Sequence, residues 1–199
     1  MKHDMNLIND LLKEFGKHVE LYSSENRLYS KDKKCRYYYY KNISEGNDGK
    51  KATVIMINPS EKYEDKDIPD NTINNLYEIL KEKKSLPISK TKSAKISSFE
   101  AINLYSIKNS KFENVIKEPI EELNKNILAY VIDKAEIVVP AWGTEEKFKN
   151  NENAETLLKN IKKWCKNKVV LVVTNRYPCH FSTQCTFNNR NPEFIEYKF

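Results

Sequence analysis

The sequence predicts an α/β fold in three layers, in which a central, mostly parallel, four-stranded sheet lies between helices. Short apolar runs alternate with amphipathic segments, which is the pattern of βαβ units. The run at 52–57 is continuous rather than alternating in polarity, as expected of a central strand covered on both faces. The four runs are residues 52–57, 99–105, 136–143 and 168–173.

The segments around these runs have the spacing of amphipathic helices. Apolar residues recur at intervals of three and four, so that one face of each helix is apolar. The third of these helices precedes the third strand, and the fourth precedes the last strand. The predicted helices are residues 5–22, 71–83, 119–134 and 153–165.

Two further segments complete the predicted fold. The aromatic run at 35–43 suits a strand, and the turn residues at 44–51 predict a β-hairpin that leads into the strand at 52–57. Residues 81–95 are rich in lysine and poor in apolar residues, so we expect a basic loop there.

The length favours a single domain. A chain of 199 residues can bury a sizeable core, and no internal repeat or linker divides it. We therefore predict one α/β domain over residues 1–199. Its core is 35–182, preceded by an N-terminal helix and connector at 1–34.

The composition excludes some classes of protein and leaves others open. No apolar stretch approaches the ~20 residues of a membrane span, and the acidic, amphipathic start differs from a signal peptide. We predict a cytoplasmic protein without a membrane partner. The four cysteines form no C-x-x-C pair, so neither a metal site nor another cofactor is expected. The net charge of +6 permits nucleic-acid binding, but an AT-rich genome explains the lysine excess equally well.

Ligands of parallel α/β sheets bind beyond the carboxyl ends of the strands. That rule selects the four loops that follow the predicted strands, and each of them reaches a polar residue early. The loops are residues 58–71, 103–108, 142–144 and 175–182.

Asparagines stand at the ends of the first two buried strands. The amide of Asn58, which precedes Pro59, could orient a water molecule or bind a planar ligand edge. Alternatively, Asn-Pro only turns the chain out of the sheet. Asn103 interrupts an apolar strand end, where a buried amide must find partners. It either reads a nucleobase edge or ties neighbouring loops together.

Acidic and imidazole groups in the loops offer acid–base chemistry. Asp65, Asp67 and Asp70 could supply a general base or hold a cation, although a solvated loop or a helix cap explains them as well. His180 could stabilise a departing anion, whereas a lone surface histidine more often has no role.

Aromatic residues in the same loops could contact a ring. Trp142 followed by Gly143 either presents an aromatic wall to a ligand or is a core tryptophan before a tight turn. Tyr63 and Tyr177 are available for stacking, but the chain has 12 tyrosines, so their position in these loops is weak evidence.

Taken in order, the motifs resemble a family of small bacterial and phage proteins known only as a domain of unknown function. The chain departs from that family at Asn71, where a proline is usual, and at Lys108, where an arginine is usual. The resemblance brings no established reaction. The matching pieces are residues 36–39, 57–60, 70–73, 103–104, 124 and 141–143.

A remoter resemblance is to the uracil-DNA glycosylase superfamily. It implies that Asn58 orients the attacking water, that Asn103 reads the base, and that the last loop stabilises the departing base and grips the phosphodiester. This chain has Tyr-Pro-Cys from Tyr177 onward where that superfamily has His-Pro-Ser. His180 lies three residues further on, and Ser60 stands in place of a glycine.

We therefore predict a nucleobase-recognising protein that hydrolyses an N-glycosidic bond in a nucleic acid or a nucleotide. The alternatives are a non-catalytic nucleotide- or nucleic-acid-binding module and a relative that shares only the fold and binds another protein. The predicted catalytic residues are Asn58, Asp70 and His180. The predicted substrate contacts are Ser60, Tyr63, Asn103, Trp142, Gly143 and Tyr177, and the predicted phosphate contacts are Lys108, Arg176 and Ser182.

Overall fold

The computed structural model describes most of the chain, and it confirms the α/β class. The residues it describes are 5–17, 20–24, 26–44, 48–60, 71–109, 111–173, 178, 181 and 193–199. The helices are α1 (Met5–Phe15), α2 (Asn71–Lys83), α3 (Phe112–Val115), α4 (Glu122–Lys134) and α5 (Glu152–Trp164), with a 3-10 helix, η1, at Glu145–Phe148.

The strands form one mixed sheet. They are β1 (Leu21–Ser24), β2 (Arg27–Ser30), β3 (Arg36–Asn42), β4 (Lys50–Met56), β5 (Ser85–Ser89), β6 (Lys92–Asn103), β7 (Ile137–Pro140), β8 (Val169–Val173) and β9 (Phe194–Glu196). The order across the sheet is β1-β2-β3-β6-β4-β7-β8-β9, and β5 pairs with the first part of β6.

The four predicted strands lie side by side as a parallel block. Strand β4 is parallel to β6 on one side and to β7 on the other, and β7 is parallel to β8. Helices cover both faces of this block. One core cluster packs α1, α4 and α5 against the sheet, and a second packs α2 against the opposite face.

The prediction of a mostly parallel, four-stranded sheet is wrong for the sheet as a whole. The described chain contributes nine strands, and five of the eight pairings between them are antiparallel. Strands β1 and β2 extend the sheet beyond β3, and β9 extends it beyond β8. These flanking strands are short and only partly buried. Since one side of such a strand remains in solvent, it needs no continuous apolar run and leaves little signal in the sequence.

The predicted hairpin at 44–51 is also wrong. Strand β3 does not pair with β4, because β6 lies between them, antiparallel to β3 and parallel to β4. Turn residues indicate where a strand ends, but they do not determine its pairing partner in the sheet.

Two predicted segments, the loop at 81–95 and the helix at 5–22, each contain part of a strand that their amino-acid composition did not indicate. Residues 81–95 are not a loop: α2 continues to Lys83, and β5 then forms an antiparallel hairpin with β6. Leu86 and Ile96 are buried there while the neighbouring lysines stay exposed. The helix predicted over 5–22 ends at Phe15, before Gly16, and β1 begins at Leu21.

The turn after β7 requires a glycine. Gly143 has a φ of +85°, and a Cβ there would lie 3.1 Å from the Nζ of Lys147. We expect Gly143→Ala to lower the free energy of unfolding by about 1–2 kcal/mol, since an L-residue is strained at positive φ. Urea denaturation of the variant measures this loss.

The same loss should occur in a Lys147→Ala background, which removes the crowded ammonium but keeps the backbone strain. If Gly143→Ala left the free energy of unfolding unchanged both with Lys147 and in the Lys147→Ala background, Gly143 would not be an obligatory turn residue.

Candidate functional site

The carboxyl ends of three parallel strands meet at one edge of the sheet. Met56 at the end of β4 lies opposite Asn103 at the end of β6, and the Leu104 N–H donates to the Met56 carbonyl at 2.9 Å. On the other side of β4, the Ala141 N–H after β7 donates to the Ile55 carbonyl at 2.8 Å. The loops predicted to carry function after these strands therefore start next to one another.

Two hydrogen bonds from its side-chain nitrogen hold the amide of Asn58 in place. Nδ2 donates to the Pro59 carbonyl at 3.0 Å and to the Asn109 carbonyl at 2.6 Å. The Asn109 N–H donates back to the Pro59 carbonyl at 3.3 Å, so the loops after β4 and β6 are linked. No donor from the described residues reaches Oδ1 of Asn58. This half-buried oxygen can therefore accept a hydrogen from a water molecule or a ligand.

Asn103 is buried without hydrogen-bond partners for its side chain. Its exposure is 1%, and neither Oδ1 nor Nδ2 has a partner among the described residues. Leaving a buried polar atom unpaired costs about 1–3 kcal/mol. Side chains alternate along β6, and Phe99 and Ala101 belong to the core under α2, so Asn103 lies on that face. Its amide offers one acceptor and two donors there.

Asn124 of α4 holds the same strand end from the opposite face. Its buried Nδ2 donates to the carbonyls of Asn103 and Leu104 at 3.0 and 2.9 Å. Asn103-Leu104 and Asn124 are separate motifs in the sequence. The hydrogen bonds join them into one structural unit. Asn124 positions the backbone from which the Asn103 side chain projects.

Trp142 is a core residue on the face opposite Asn103. It is fully buried in the cluster formed with α4 and α5, and its ring stacks on Phe199 at a centroid distance of 6.2 Å and an interplanar angle of 7°. The structure does not bring the Trp142 ring to the asparagine site. Gly143 contributes the positive-φ turn that follows it.

Two further predicted contacts lie near the strand ends. Ser60 is half-buried two residues after Asn58. The Lys108 N–H donates to the Lys34 carbonyl at 2.9 Å, and its Nζ lies 5.4 Å from the centroid of the Tyr29 ring. Lys108 therefore lies against β2, on the β3 side of the site.

The remaining predicted residues lie outside the described part of the chain. The roles assigned to them stay predictions. They are Tyr63, Asp65, Asp67, Asp70, Arg176, Tyr177, His180 and Ser182.

Sequence reasoning missed a fully buried carboxylate in the middle of the sheet. Glu100 on β6 accepts hydrogen bonds from the hydroxyls of Thr53 at 2.6 Å and Tyr38 at 2.8 Å. The Nζ of Lys51, whose side chain is 26% exposed, lies 2.6 Å from the same carboxylate. The sequence did contain a signal for this site, because Glu100 is a charged residue inside an apolar run. Its contacts join β3, β4 and β6.

A second overlooked carboxylate lies beside the loop after β6. Glu121 accepts from the hydroxyls of Tyr37 at 3.0 Å and Ser106 at 2.8 Å. Burial, reinforced by the charge of Glu121, raises the pKa of Tyr37, so its hydroxyl remains a neutral donor. Burial likewise raises the pKa of the neighbouring Cys35 thiol, which keeps it protonated rather than nucleophilic.

Two arginines that the sequence analysis did not select lie close to each other in the structure. Arg36 at the start of β3 is buried, and Arg27 on β2 has a buried Nε. Their Cζ atoms lie 5.8 and 5.6 Å from the centroid of one ring, that of Tyr39. Arg36 belongs to an aromatic motif noted in the sequence, but Arg27 lies outside every motif.

Other features of the described chain lie elsewhere or are absent. A surface pocket of about 310 Å³ lies between η1 and α5, and no predicted site residue lines it. No group of three or more His, Cys, Asp or Glu side chains suited to a metal ion occurs among the described residues. In the same residues, no helix has the length and apolarity needed to cross a membrane.

The fold and the strand-end asparagines define an α/β protein with a polar site beyond a parallel block of strands. The chain belongs to the family described as "Protein of unknown function (DUF1643)", which matches residues 36–180. The match begins at Arg36 and extends past β8, so it leaves out α1, β1, β2 and β9. No curated protein and no solved structure matches the chain.

Proposed function

We propose that this protein recognises a nucleobase and hydrolyses its N-glycosidic bond, and that Asn103 reads the base. The observation that carries the proposal is the fully buried, unpartnered amide of Asn103 at the strand ends. A protein that keeps such a group in its core loses stability unless a ligand or an ordered water satisfies it. Destabilising polar groups of this kind are concentrated at functional sites.

The chemistry of the amide suits the edge of a base. An asparagine side chain presents a donor and an acceptor in one plane, and it can therefore bind a carbonyl and an adjacent N–H together. Each paired hydrogen bond in a buried site discriminates strongly against a ligand that lacks the group. The resemblance to uracil-DNA glycosylases favours the same role for Asn103.

Asn58 supplies the second part of the proposal. Its Nδ2 is held by two carbonyls, which leaves Oδ1 oriented and free to accept a hydrogen from water. In the proposed reaction the water oxygen bonds to the anomeric carbon while the C–N bond breaks. The water loses one proton to the general base. The base departs with the bonding electrons of the C–N bond and takes up one proton, so that no net proton is gained or lost. Asp70 as general base and His180 as the group facing the departing base belong to this proposal.

A non-catalytic binding module is the second candidate, and two hydrogen bonds of Asn58 favour it. The bonds from Asn58 to the Pro59 and Asn109 carbonyls also explain that residue as a clamp between two loops. Asn103 would then read a base that is bound without being cleaved, and Lys108, Arg176 and Ser182 would contact phosphate.

A base-release assay tests the catalytic proposal. Wild type and Asn58→Ala are incubated with oligonucleotides and nucleotides that carry uracil, hypoxanthine or other altered bases, and the free base is quantified. We expect release by the wild type and a loss of about 10²-fold or more in Asn58→Ala, because misplacing the attacking water by about 1 Å costs that much in rate.

Asn114→Ala, which removes an exposed asparagine of α3, is the matched control and should retain full activity. Circular dichroism establishes that each variant is folded. Full activity of folded Asn58→Ala would eliminate its role in orienting water. No release from any substrate by the wild type would overturn the catalytic proposal and favour the binding module.

A further inference from the structure

Most of the net positive charge of this chain lies in one segment, residues 81–95, which we call the basic segment. It contains six lysines and one glutamate, a net charge of +5, whereas the whole chain has a net charge of +6. The rest of the chain is therefore almost neutral. An AT-rich genome raises the lysine content of the whole chain, and elsewhere acidic residues balance it. Genome composition thus does not account for this local excess.

The fold holds the backbone of the basic segment in place. The segment comprises the end of α2 and the antiparallel hairpin that β5 forms with the start of β6. Leu86 and Ile96 are buried in the core under α2 and anchor the hairpin there. The Ile96 N–H also donates to the Lys84 carbonyl at 3.0 Å, which joins the end of α2 to the base of the hairpin. The lysines are therefore presented on a folded scaffold.

Four lysines of the basic segment are exposed and form no ion pair with a carboxylate of the described residues. They lie at the base of the hairpin and around its tip, so both ends of the hairpin are positively charged. Charges that the fold does not neutralise produce a positive potential, which attracts an anionic partner. The four residues are Lys84, Lys90, Lys92 and Lys95.

The side chains of the hairpin favour a nucleic acid over a protein or a membrane as that partner. Its exposed residues are lysine, serine and threonine, which contact phosphate and sugar groups in nucleic acids. Protein interfaces contain a core of apolar and aromatic side chains, and membrane-surface segments insert apolar side chains into the lipid. The exposed large hydrophobic residues in the described chain are Tyr22 and Phe199, and neither is in the basic segment. A two-stranded ribbon also fits the major groove of B-DNA.

We propose that the basic segment binds the phosphate backbone of duplex DNA without sequence preference. Lys92 is the first residue of β6 and Asn103 is the last, so this surface lies at the opposite end of the strand from the proposed base-reading site. The inference therefore goes beyond the proposed function and does not depend on it. Lysines that neutralise phosphates release counterions from the DNA, so the binding weakens as the salt concentration rises.

Fluorescence anisotropy of the full chain with a labelled, mixed-sequence DNA duplex tests this assignment. The association constant of the wild type should fall by about 10²-fold between about 50 and 200 mM salt, as four phosphate contacts imply. The double variant Lys90→Gln, Lys92→Gln keeps two of these contacts. It should bind more weakly at the lower salt concentration, and its association constant should fall by only about tenfold over the same range. Lys95→Gln alone should reduce the salt slope by about 1.

The charge-matched control is the double variant Lys159→Gln, Lys163→Gln. It removes two exposed lysines from α5, which packs on the opposite face of the sheet from the hairpin. The control should keep the affinity and the salt dependence of the wild type, and circular dichroism establishes that all variants are folded. Equal losses of affinity in the two double variants would show that net charge alone attracts DNA, and would overturn the assignment of the hairpin.

Other probes test the identity of the partner. Tighter binding of polyglutamate or of phosphatidylserine vesicles than of the duplex would overturn the nucleic-acid assignment in favour of an acidic protein or a membrane. Tighter binding of a single strand of the same length would overturn the assignment to a duplex. Absence of duplex binding at the lower salt concentration would overturn the inference altogether. Base release in the earlier assay without duplex binding, or the reverse, would separate this inference from the proposed function.

Discussion

An Asn103→Leu variant is expected to be more stable than the wild type and to have lost affinity for nucleobase ligands. Leucine has the same branching as asparagine but no polar atoms, so it removes two buried groups that lack partners. We expect the free energy of unfolding to rise by about 1–3 kcal/mol. Urea denaturation measures the stability, and titration with the preferred ligand measures the loss of binding.

Asn124→Leu is the matched control, because it is also a buried asparagine at the same strand end. Its Nδ2 donates to two carbonyls, so its removal leaves both of them without that donor. We expect it to lower the free energy of unfolding by about 1–3 kcal/mol. Opposite signs at these two sites would identify Asn103 as a residue kept for its ligand.

A loss of stability in Asn103→Leu similar to that in Asn124→Leu would contradict this interpretation. The Asn103 amide would then be satisfied within the folded protein, for example by a buried water, and its role would be structural. The proposed function would lose the observation on which it depends.

Glu100→Ala is expected to lower the free energy of unfolding by about 3–5 kcal/mol, the range for removing one partner of a buried ion pair. The carboxylate is completely buried and accepts two hydroxyl hydrogen bonds in addition to its contact with Lys51. Truncation leaves these donors without their acceptor and opens a cavity between β3 and β4. Partial exposure of Lys51 lets water solvate its ammonium, so the lower end of the range is expected.

Two further variants serve as controls for this prediction. Glu100→Gln tests the contribution of the charge, and Lys125→Ala tests the effect of breaking an exposed ion pair. Glutamine keeps an acceptor and the side-chain volume, so we expect a smaller loss than with alanine. Lys125→Ala breaks an exposed ion pair with Glu122, which should be worth less than about 1 kcal/mol. Circular dichroism during urea titration measures all three variants. A Glu100→Ala protein as stable as the wild type would show that its network contributes no net stability.

The parallel block of the sheet was predictable because its strands are buried on both faces. Such strands tend to be apolar. Strands β7 and β8 and residues 54–56 of β4 appear in the sequence as uninterrupted apolar runs. The flanking strands β1, β2 and β5 were not predictable in this way. They are partly exposed, and their pairing depends on long-range partners rather than on their own composition.

The candidate site likewise has a part that the sequence predicted and a part that only the structure decided. Asn58 and Asn103 were identified because each follows a buried strand, and parallel strands bring their carboxyl ends to one edge. The opposite face of the sheet holds Trp142, which the same reasoning had placed beside the ligand. A residue at a strand end can point to either face, and only the alternation along the folded strand decides which.

The sequence by itself determined the α/β class, the parallel block and the two asparagines at its strand ends, because continuous hydrophobicity and a polar interruption are local properties. Only the tertiary structure decided that β6 separates β3 from β4, and that Arg27 and Arg36 share one tyrosine ring close to Asn103. These arrangements arise from pairing between segments distant in the chain. The energy of that pairing depends on the whole assembled sheet, and no single segment encodes it.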